Sequence, residues 1–194
     1  MQNTNILWDV VVLATLVVVV AIGLLLSQRN KRHRSAMLKS RFGNEYDRAR
    51  AQFGRGADAI LGERLRHVEG LHIRALTDAE RARFGSAWQD VQMQFVDDPK
   101  SAVVNANVLV GEVMRTRGYP KGASLEMRCR DLSVDHAGAL SSYRAAEAIT
   151  RDPTPTTEQL RQAVVHYRVI FADLLEVPKP EHHEAPMRIF PRTV

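Results

Sequence analysis

An apolar stretch near the start of the chain constrains its architecture more than any other feature. Residues 6–26 read ILWDVVVLATLVVVVAIGLLL, and Asp9 is the one charged side chain among them. A helix over this stretch spans about 31 Å at about 1.5 Å per residue, close to the roughly 30 Å hydrocarbon core of a bilayer. Lipid offers no hydrogen-bond partner for backbone N–H and C=O groups, so a spanning segment must be helical. We therefore predict a transmembrane helix over 6–26, with Asp9 in the outer interface beside Trp8.

The charge that follows this stretch predicts its orientation. Residues 1–5 (MQNTN) carry no basic side chain, whereas residues 27–41 carry six cations and no acid. The six are Arg29, Lys31, Arg32, Arg34, Lys39 and Arg41. Lys and Arg accumulate on the cytoplasmic side of membrane proteins, so we expect the N-terminus outside the plasma membrane and the remaining chain in the cytoplasm. A cleaved signal peptide is the alternative, but it needs the basic n-region that residues 1–5 lack.

The position of this charge also bears on the partners of the protein. The chain has a net charge of +5, and residues 27–41 contribute +6, so the remainder sums to −1. A nucleic-acid-binding domain spreads its basic residues over a face. We therefore expect the cluster to contact membrane lipid through anionic headgroups, and we expect no nucleic acid as a partner. A module that uses this segment to bind anionic lipid or nucleic acid specifically is kept as a second hypothesis.

Helix start signals and apolar spacing predict an all-α fold behind the basic segment. Thr77 with Glu80, and Thr156 with Gln159, have the spacing of capping boxes, and Asp98 precedes a proline that suits a first helical turn. Apolar side chains recur at helical spacing behind these starts. The predicted helices cover about 44–53, 57–69, 78–97, 99–117, 124–132, a segment capped by Ser133 or Asp135, and 157–174. In the helix over 99–117, Val104 and Val108 are expected to widen the buried stripe.

The predicted organisation has five parts and one folded domain. They are a short extracytoplasmic tail at 1–5, the transmembrane helix at 6–26, a basic juxtamembrane linker at 27–43, a helical domain at 44–176 and a disordered tail at 177–194. The tail is assigned as disordered because it holds four prolines and few aliphatic residues. The fold class is thus an all-α multi-helix bundle behind a membrane helix.

Few groups in the sequence could carry chemistry. Asp131, Asp135 and His136 lie close together in DLSVDH, where a histidine near two acids could act as a general base. Asp and Ser are equally favoured at helix starts, so a local hydrogen-bond network explains the same residues. Cys129 is the single cysteine, which excludes an intrachain disulfide. An enzyme built on these residues ranks last among our hypotheses.

Metal and cofactor sites are not expected. The adjacent histidines His182 and His183 are the best metal candidates, but they lie in the predicted tail without fixed geometry. No HExxH or CxxC motif occurs in the chain. We therefore expect no catalytic residue, no metal and no cofactor.

A repeated Tyr-Arg dipeptide is the candidate interaction surface. Tyr143-Arg144 and Tyr167-Arg168 lie on two predicted helices, each tyrosine on the apolar stripe and each arginine beside it. The tyrosines either pack inside the bundle with the arginines paired at its edge, or all four side chains line a groove for a peptide or an anion.

Five phrases of the sequence resemble a known group of proteins. They are WQDVQMQFVDDPKSAV, LVGEVMRTRGYP, DLSVDH, YRAAEAI and TEQLRQAVVHYRVIF. In their order, over about residues 41–175, they resemble an uncharacterised bacterial family that pairs one membrane span with a small helical domain. The resemblance implies the architecture and no activity. With the anchor, it leads us to expect a non-enzymatic protein-interaction or scaffold module.

Overall fold

A computed structural model of the protein describes residues 3–176, with side chains for Leu16 and for residues 19–176. Its helices are α1 (Asn3–Phe42), α2 (Asn44–Phe53), α3 (Ala57–Glu69), α4 (Asp78–Asp97), α5 (Pro99–Arg117), α6 (Leu125–Asp135), α7 (Ala137–Thr150) and α8 (Thr157–Leu175), with a 3₁₀ turn at Gly54–Gly56. Within these described residues there is no β-strand, and the prediction of an all-α fold is confirmed.

Helix α1 runs without interruption through the segment predicted to be a linker. Residues 24–42 contain neither glycine nor proline and are rich in Leu, Lys, Arg, Ala and Met, which favour helix. The helix ends at Phe42 because Gly43 takes a positive φ of 49° and redirects the chain into α2. Residues 27–42 are therefore part of a helix that is 40 residues long.

Most of the predicted membrane span lies outside the described side chains. Asp9, Trp8 and all of residues 6–15 fall there, as do residues 1–5. Over the residues that can be assessed, none of the helices combines the length and the apolarity needed to cross a bilayer. The predicted tail at 177–194, with its two histidines, also lies outside the described residues.

The chain divides into two compact units, and the helical domain predicted over 44–176 has parts in both of them. Unit 1 takes the chain up to Gly70 and then Ala123–Leu140, and unit 2 takes Leu71–Gly122 and the chain from Ser141 onward. Each unit is thus assembled from two separate stretches of sequence. Local start signals predict single helices, and they carry no information about which helices pack together.

Unit 1 is built around the second half of α1. This helix packs on α2, α3 and α6, and α3 also packs on α6. Leu38 is 1% exposed and Phe42 is fully buried, so α1 contributes two large side chains to the core. Leu61 and Leu132 are fully buried opposite them. The helix that was expected to serve only as an anchor is therefore also a core element of unit 1.

Unit 2 is built on α5, which packs on both α4 and α8. Trp88 of α4 stacks on Phe171 of α8 with ring centroids 4.7 Å apart. Tyr167 is fully buried in the same unit. Val104 and Val108 are 53% and 54% exposed, so the expectation that they widen the buried stripe of α5 is wrong.

Helix ends in unit 2 follow the sequence signals closely. Both predicted capping boxes are present: the Thr77 side chain accepts from the Glu80 backbone N–H, and the Thr156 side chain accepts from that of Gln159. Asp98 caps α5 by accepting from the Ser101 backbone N–H at 3.1 Å. Short-range chemistry of this kind is visible in the sequence because both partners lie within one turn.

The signals at two other helix starts were misassigned. Asn44 is the first residue of α2 rather than its cap, which is Gly43. Ser133 and Asp135 both lie within α6, which runs to Asp135, so neither caps the following helix at Ala137. The hydroxyl of Ser133 donates instead to the Arg130 carbonyl at 2.6 Å. A Ser or Asp side chain can bond inside a helix as well as at its start, and spacing alone does not distinguish the two.

Candidate functional site

The basic end of α1 follows directly after exposed apolar side chains. Leu24, Leu25 and Leu26 are 60%, 66% and 61% exposed. Arg29, Lys31 and Arg32 come one to two turns later and are exposed. In the described part of the chain, no hydrogen bond or ion pair engages these three cations.

The other three predicted cations contact unit 1. Arg41 donates to Asp135 of α6 at 2.8 Å, and Lys39 lies 4.0 Å from Asp47 of α2. The Arg34 guanidinium lies against Gly62 of α3, in the space that a Cβ atom would need. The predicted six-residue cluster is thus divided into an outer group without partners and an inner group that contacts unit 1.

Asp58 of α3 forms hydrogen bonds with side chains of both α1 and α2. Its carboxylate accepts from the Ser35 hydroxyl and, at 3.0 Å, from the Tyr46 hydroxyl. Ser35 lies beside Arg34 in α1, and Tyr46 is 8% exposed. Three helices therefore meet at one carboxylate, which fixes α1 against unit 1 by hydrogen bonds as well as by apolar packing.

The candidate catalytic residues on α6 point to different helices. Asp131, whose side chain is 2% exposed, lies 3.5 Å from His67 Nε2 of α3. Asp135 pairs with Arg41 of α1. His136 and Cys129 are 7% and 6% exposed. Asp131 and Asp135 thus connect α6 to two neighbouring helices, which differs from the local helix-start network considered for DLSVDH.

His67 is a partner that sequence reasoning missed. Asp131 also lies 3.6 Å from Arg130 Nε, and its buried Oδ1 makes no hydrogen bond. Both neighbours are therefore ion-pair contacts at the long end of the range. His67 precedes Asp131 by 64 positions, and no local signal could connect them.

The Tyr-Arg pairs do not form a groove lined by the tyrosine rings. Tyr143 and Tyr167 are both fully buried and pack edge to face, with centroids 6.2 Å apart. The Tyr167 hydroxyl lies 3.0 Å from Thr150 Oγ1 and donates to Glu147 Oε1 at 3.3 Å. The groove hypothesis is therefore wrong for the two rings, which belong to the core of unit 2.

The arginines of the same pairs remain on the surface. Arg144 is partly exposed and Arg168 is exposed. On the exposed side of α8, Arg168 lies between Val165 and Val169, which are 49% and 44% exposed. Two valines one turn apart, with a cation beside them, form the accessible part of the predicted surface. We call Val165, Arg168 and Val169 the α8 face.

Shifted pKa values occur at the starts of three helices. Hydrogen bonds from Arg74, with donor–acceptor distances of 2.8 and 2.7 Å, lower the pKa of Glu80 to about 2. Hydrogen bonds from Arg161 likewise lower the pKa of Glu158 to about 2. Hydrogen bonds from Ser101 lower the pKa of Asp98. These carboxylates stabilise the first turns of α4, α5 and α8.

The arrangement of His, Cys, Asp and Glu side chains bears on whether the protein can hold a metal ion. Among the residues that the structure describes, no three His, Cys, Asp or Glu side chains are placed to hold a metal ion together. The adjacent histidines His182 and His183 lie beyond the described range.

Together these observations define an all-α protein in two units whose first helix passes from an exposed apolar segment, through free cations, into a folded core. No protein-family model, curated protein or solved structure matches the chain.

Proposed function

We propose that this protein is a membrane-anchored, non-enzymatic interaction module at the inner face of the bacterial plasma membrane. The observation that carries this proposal is the continuity of α1. One unbroken helix bears exposed apolar residues, then exposed cations, then the buried Leu38 and Phe42 of unit 1. An apolar helix of about 20 residues followed by Lys and Arg is typical of a span with a cytoplasmic C-terminal side. Bacterial origin rests on the resemblance of the five sequence phrases.

A role in binding rather than catalysis is supported by the contacts of the reactive side chains. Asp135 is paired with Arg41, and Asp131 lies beside His67. The Tyr167 hydroxyl is held by Thr150 and Glu147. General acid–base catalysis needs a group within reach of a substrate proton. These groups are instead occupied in holding helices together.

The α8 face is the surface we assign to a partner protein. Protein interfaces combine an apolar centre with polar side chains around it and are enriched in arginine. Val165 and Val169 supply apolar area at solvent-facing positions, and Arg168 supplies a cation between them. Valine has a lower helix propensity than Ala, Lys or Glu, so exposed valine pairs are not explained by helix stability.

Site-directed photocrosslinking in intact cells tests this proposal. A photoreactive residue at position 165 of the full chain is expected to crosslink to a partner protein in the membrane fraction. The double substitution Val165→Asp, Val169→Asp should reduce the crosslink from a nearby probe at position 172 at least about tenfold. A desolvated aspartate in an apolar interface costs more than 1.4 kcal/mol, which is a factor of ten in affinity.

The matched control is the pair Val104→Asp, Val108→Asp on α5. These valines have the same spacing, similar exposure and the same unit as the α8 pair. They should leave the crosslink unchanged. Equal loss in both pairs would reject the α8 face as the binding surface. Recovery of the full chain in the soluble fraction would reject the membrane anchor itself.

A further inference from the structure

The basic residues of α1 divide into two groups with different surroundings. Arg34, Lys39 and Arg41 lie against α3, α2 and α6 of unit 1. Arg29, Lys31 and Arg32 have no such contact within the described residues and are exposed. If the six cations served only to set the membrane topology, their contacts would not matter, because the positive-inside rule depends on the number of cations near the span.

The outer group lies at the depth of lipid headgroups. Lys31 is five residues beyond Leu26, or about 7.5 Å along the helix axis. The headgroup layer extends about 5–7 Å beyond each side of the hydrocarbon core, and the Lys and Arg side chains are long enough to reach back into it. Arg34 and the later cations are at least 12 Å beyond Leu26 by the same rise of about 1.5 Å per residue.

Within the outer group, Arg29 lies on the side of α1 opposite to Leu38, whereas Lys31 lies two turns before Leu38 on the same side. Arg29 precedes Leu38 by nine residues, which is about two and a half helical turns, so the two side chains leave opposite sides of the helix. Leu38 is buried in unit 1. The acids that contact α1 are Asp47, Asp58 and Asp135, and their partners Lys39, Ser35 and Arg41 all follow Arg32 in the chain rather than lying in the outer group.

We propose that Arg29, Lys31 and Arg32 form a binding site for anionic phospholipid headgroups, while Arg34, Lys39 and Arg41 hold α1 to unit 1. This inference rests on the membrane anchor proposed above and names its lipid partner. Arginine binds phosphate oxygens through two parallel hydrogen bonds, and lysine binds them as a point charge. The ligand is an anionic headgroup at the cytoplasmic surface, since the cations follow immediately after the apolar segment.

The test uses the full chain reconstituted in phosphatidylcholine bilayers. Electron paramagnetic resonance of spin-labelled phosphatidylglycerol and spin-labelled phosphatidylcholine measures which lipid is retained beside the protein. The native chain should prefer phosphatidylglycerol several-fold, and high salt should reduce this preference. The variant Arg29→Gln, Lys31→Gln, Arg32→Gln should lose the preference, because each cation near an anionic surface contributes up to about fivefold. Its thermal unfolding should be unchanged.

The matched control is the inner triple, Arg34→Gln, Lys39→Gln, Arg41→Gln, on the same helix. It should keep most of the preference for phosphatidylglycerol and unfold at a lower temperature.

Equal loss of preference in both triple variants would overturn the division between the outer and inner groups. A native chain without preference would overturn the headgroup site but leave the anchor intact. A native chain that shows no lipid preference but binds duplex DNA, with this binding lost in the Arg29→Gln, Lys31→Gln, Arg32→Gln variant, would assign the cations to nucleic acid instead. Failure of the chain to float with vesicles would overturn the anchor and the site together.

Discussion

At the scale of single residues, the buried charge of Arg117 is placed where backbone carbonyls can hold it. Arg117 is 3% exposed, and its guanidinium donates to the carbonyls of Leu174 and Arg74 at 3.1 and 3.3 Å. Leu174 lies in the last turn of α8, where unpaired carbonyls carry partial negative charge. The sequence predicts Arg117 only as a favourable charge at the end of its own helix. Its role at the end of α8 depends on tertiary packing.

The two capping boxes differ in a way that acid should reveal. The Thr77 backbone N–H donates to Glu80 Oε2 at 2.9 Å, and the Thr156 N–H donates to Gln159 Oε1 at 2.7 Å. The pKa of Glu80 is lowered from 4.5 to about 2, chiefly by its hydrogen bonds from Arg74. A depressed folded-state pKa means that the contribution of Glu80 to stability is complete above pH 4.5 and is lost as the pH falls from there towards about 2.

We therefore expect the Thr77 amide resonance to shift with an inflection near pH 2, measured by NMR of the full chain in detergent micelles. The Thr156 amide should move much less, because the glutamine in its box does not titrate. The variant Glu80→Gln should make Thr77 behave like Thr156. An inflection near 4.5 for Thr77 would show that the Arg74 hydrogen bonds are not formed in solution.

At the scale of the element, α1 has two environments along one helix. Leu24 and Leu25 are exposed, whereas Leu38 and Phe42 are buried in unit 1. Because the helix contains no break between these segments, unit 1 is joined to the apolar segment by continuous helix rather than by a flexible linker. The outer cations are held at a defined distance from the apolar segment for the same reason.

Substituting α1 inside unit 1 should destabilise that unit. Leu38 is 1% exposed and its neighbour Met37 is 50% exposed. Leu38→Ala should lower the free energy of unfolding of unit 1 by about 2–5 kcal/mol, the usual range for a buried leucine. Met37→Ala should change it by less than about 1 kcal/mol. Hydrogen exchange of α2 and α3 amides measures the difference. Equal effects would mean that α1 does not form part of the core.

The sequence predicts the individual helices well, but it predicts poorly which helices pack on each other. The starts of α4, α5 and α8 follow from Thr77, Asp98 and Thr156, because each capping side chain accepts from a backbone N–H only three residues later. The helical state of residues 27–42, predicted as a linker, follows from their content of Leu, Lys, Arg, Ala and Met without glycine or proline. Asp131 with His67, by contrast, requires the packing of α6 on α3. Each of the two units combines distant parts of the chain, and helix periodicity carries no sign of this.

At the scale of the whole molecule, most of the net charge lies in one unit. Residues 27–70 and 123–140, which are in unit 1, hold thirteen basic and eight acidic side chains. Residues 71–122 and 141–176, in unit 2, hold eleven of each. An anionic membrane surface therefore attracts unit 1 and has no net attraction for unit 2.

Reporter fusions should place both units in the cytoplasm. Alkaline phosphatase fused after Glu176 should be inactive, and green fluorescent protein fused there should fluoresce, because six cations follow the apolar segment and none precede it. A charge-balanced variant replaces Asn3, Thr4 and Asn5 by lysine and changes Arg29, Lys31 and Arg32 to glutamine. It has three cations before the apolar segment and three after it, at Arg34, Lys39 and Arg41, so the asymmetry is removed and part of the population should shift to phosphatase activity. The same lysine substitutions alone are the control and should have a smaller effect, since the native cations remain. An active phosphatase on the unmodified chain would place the units outside the plasma membrane, and the cations would then face the opposite leaflet.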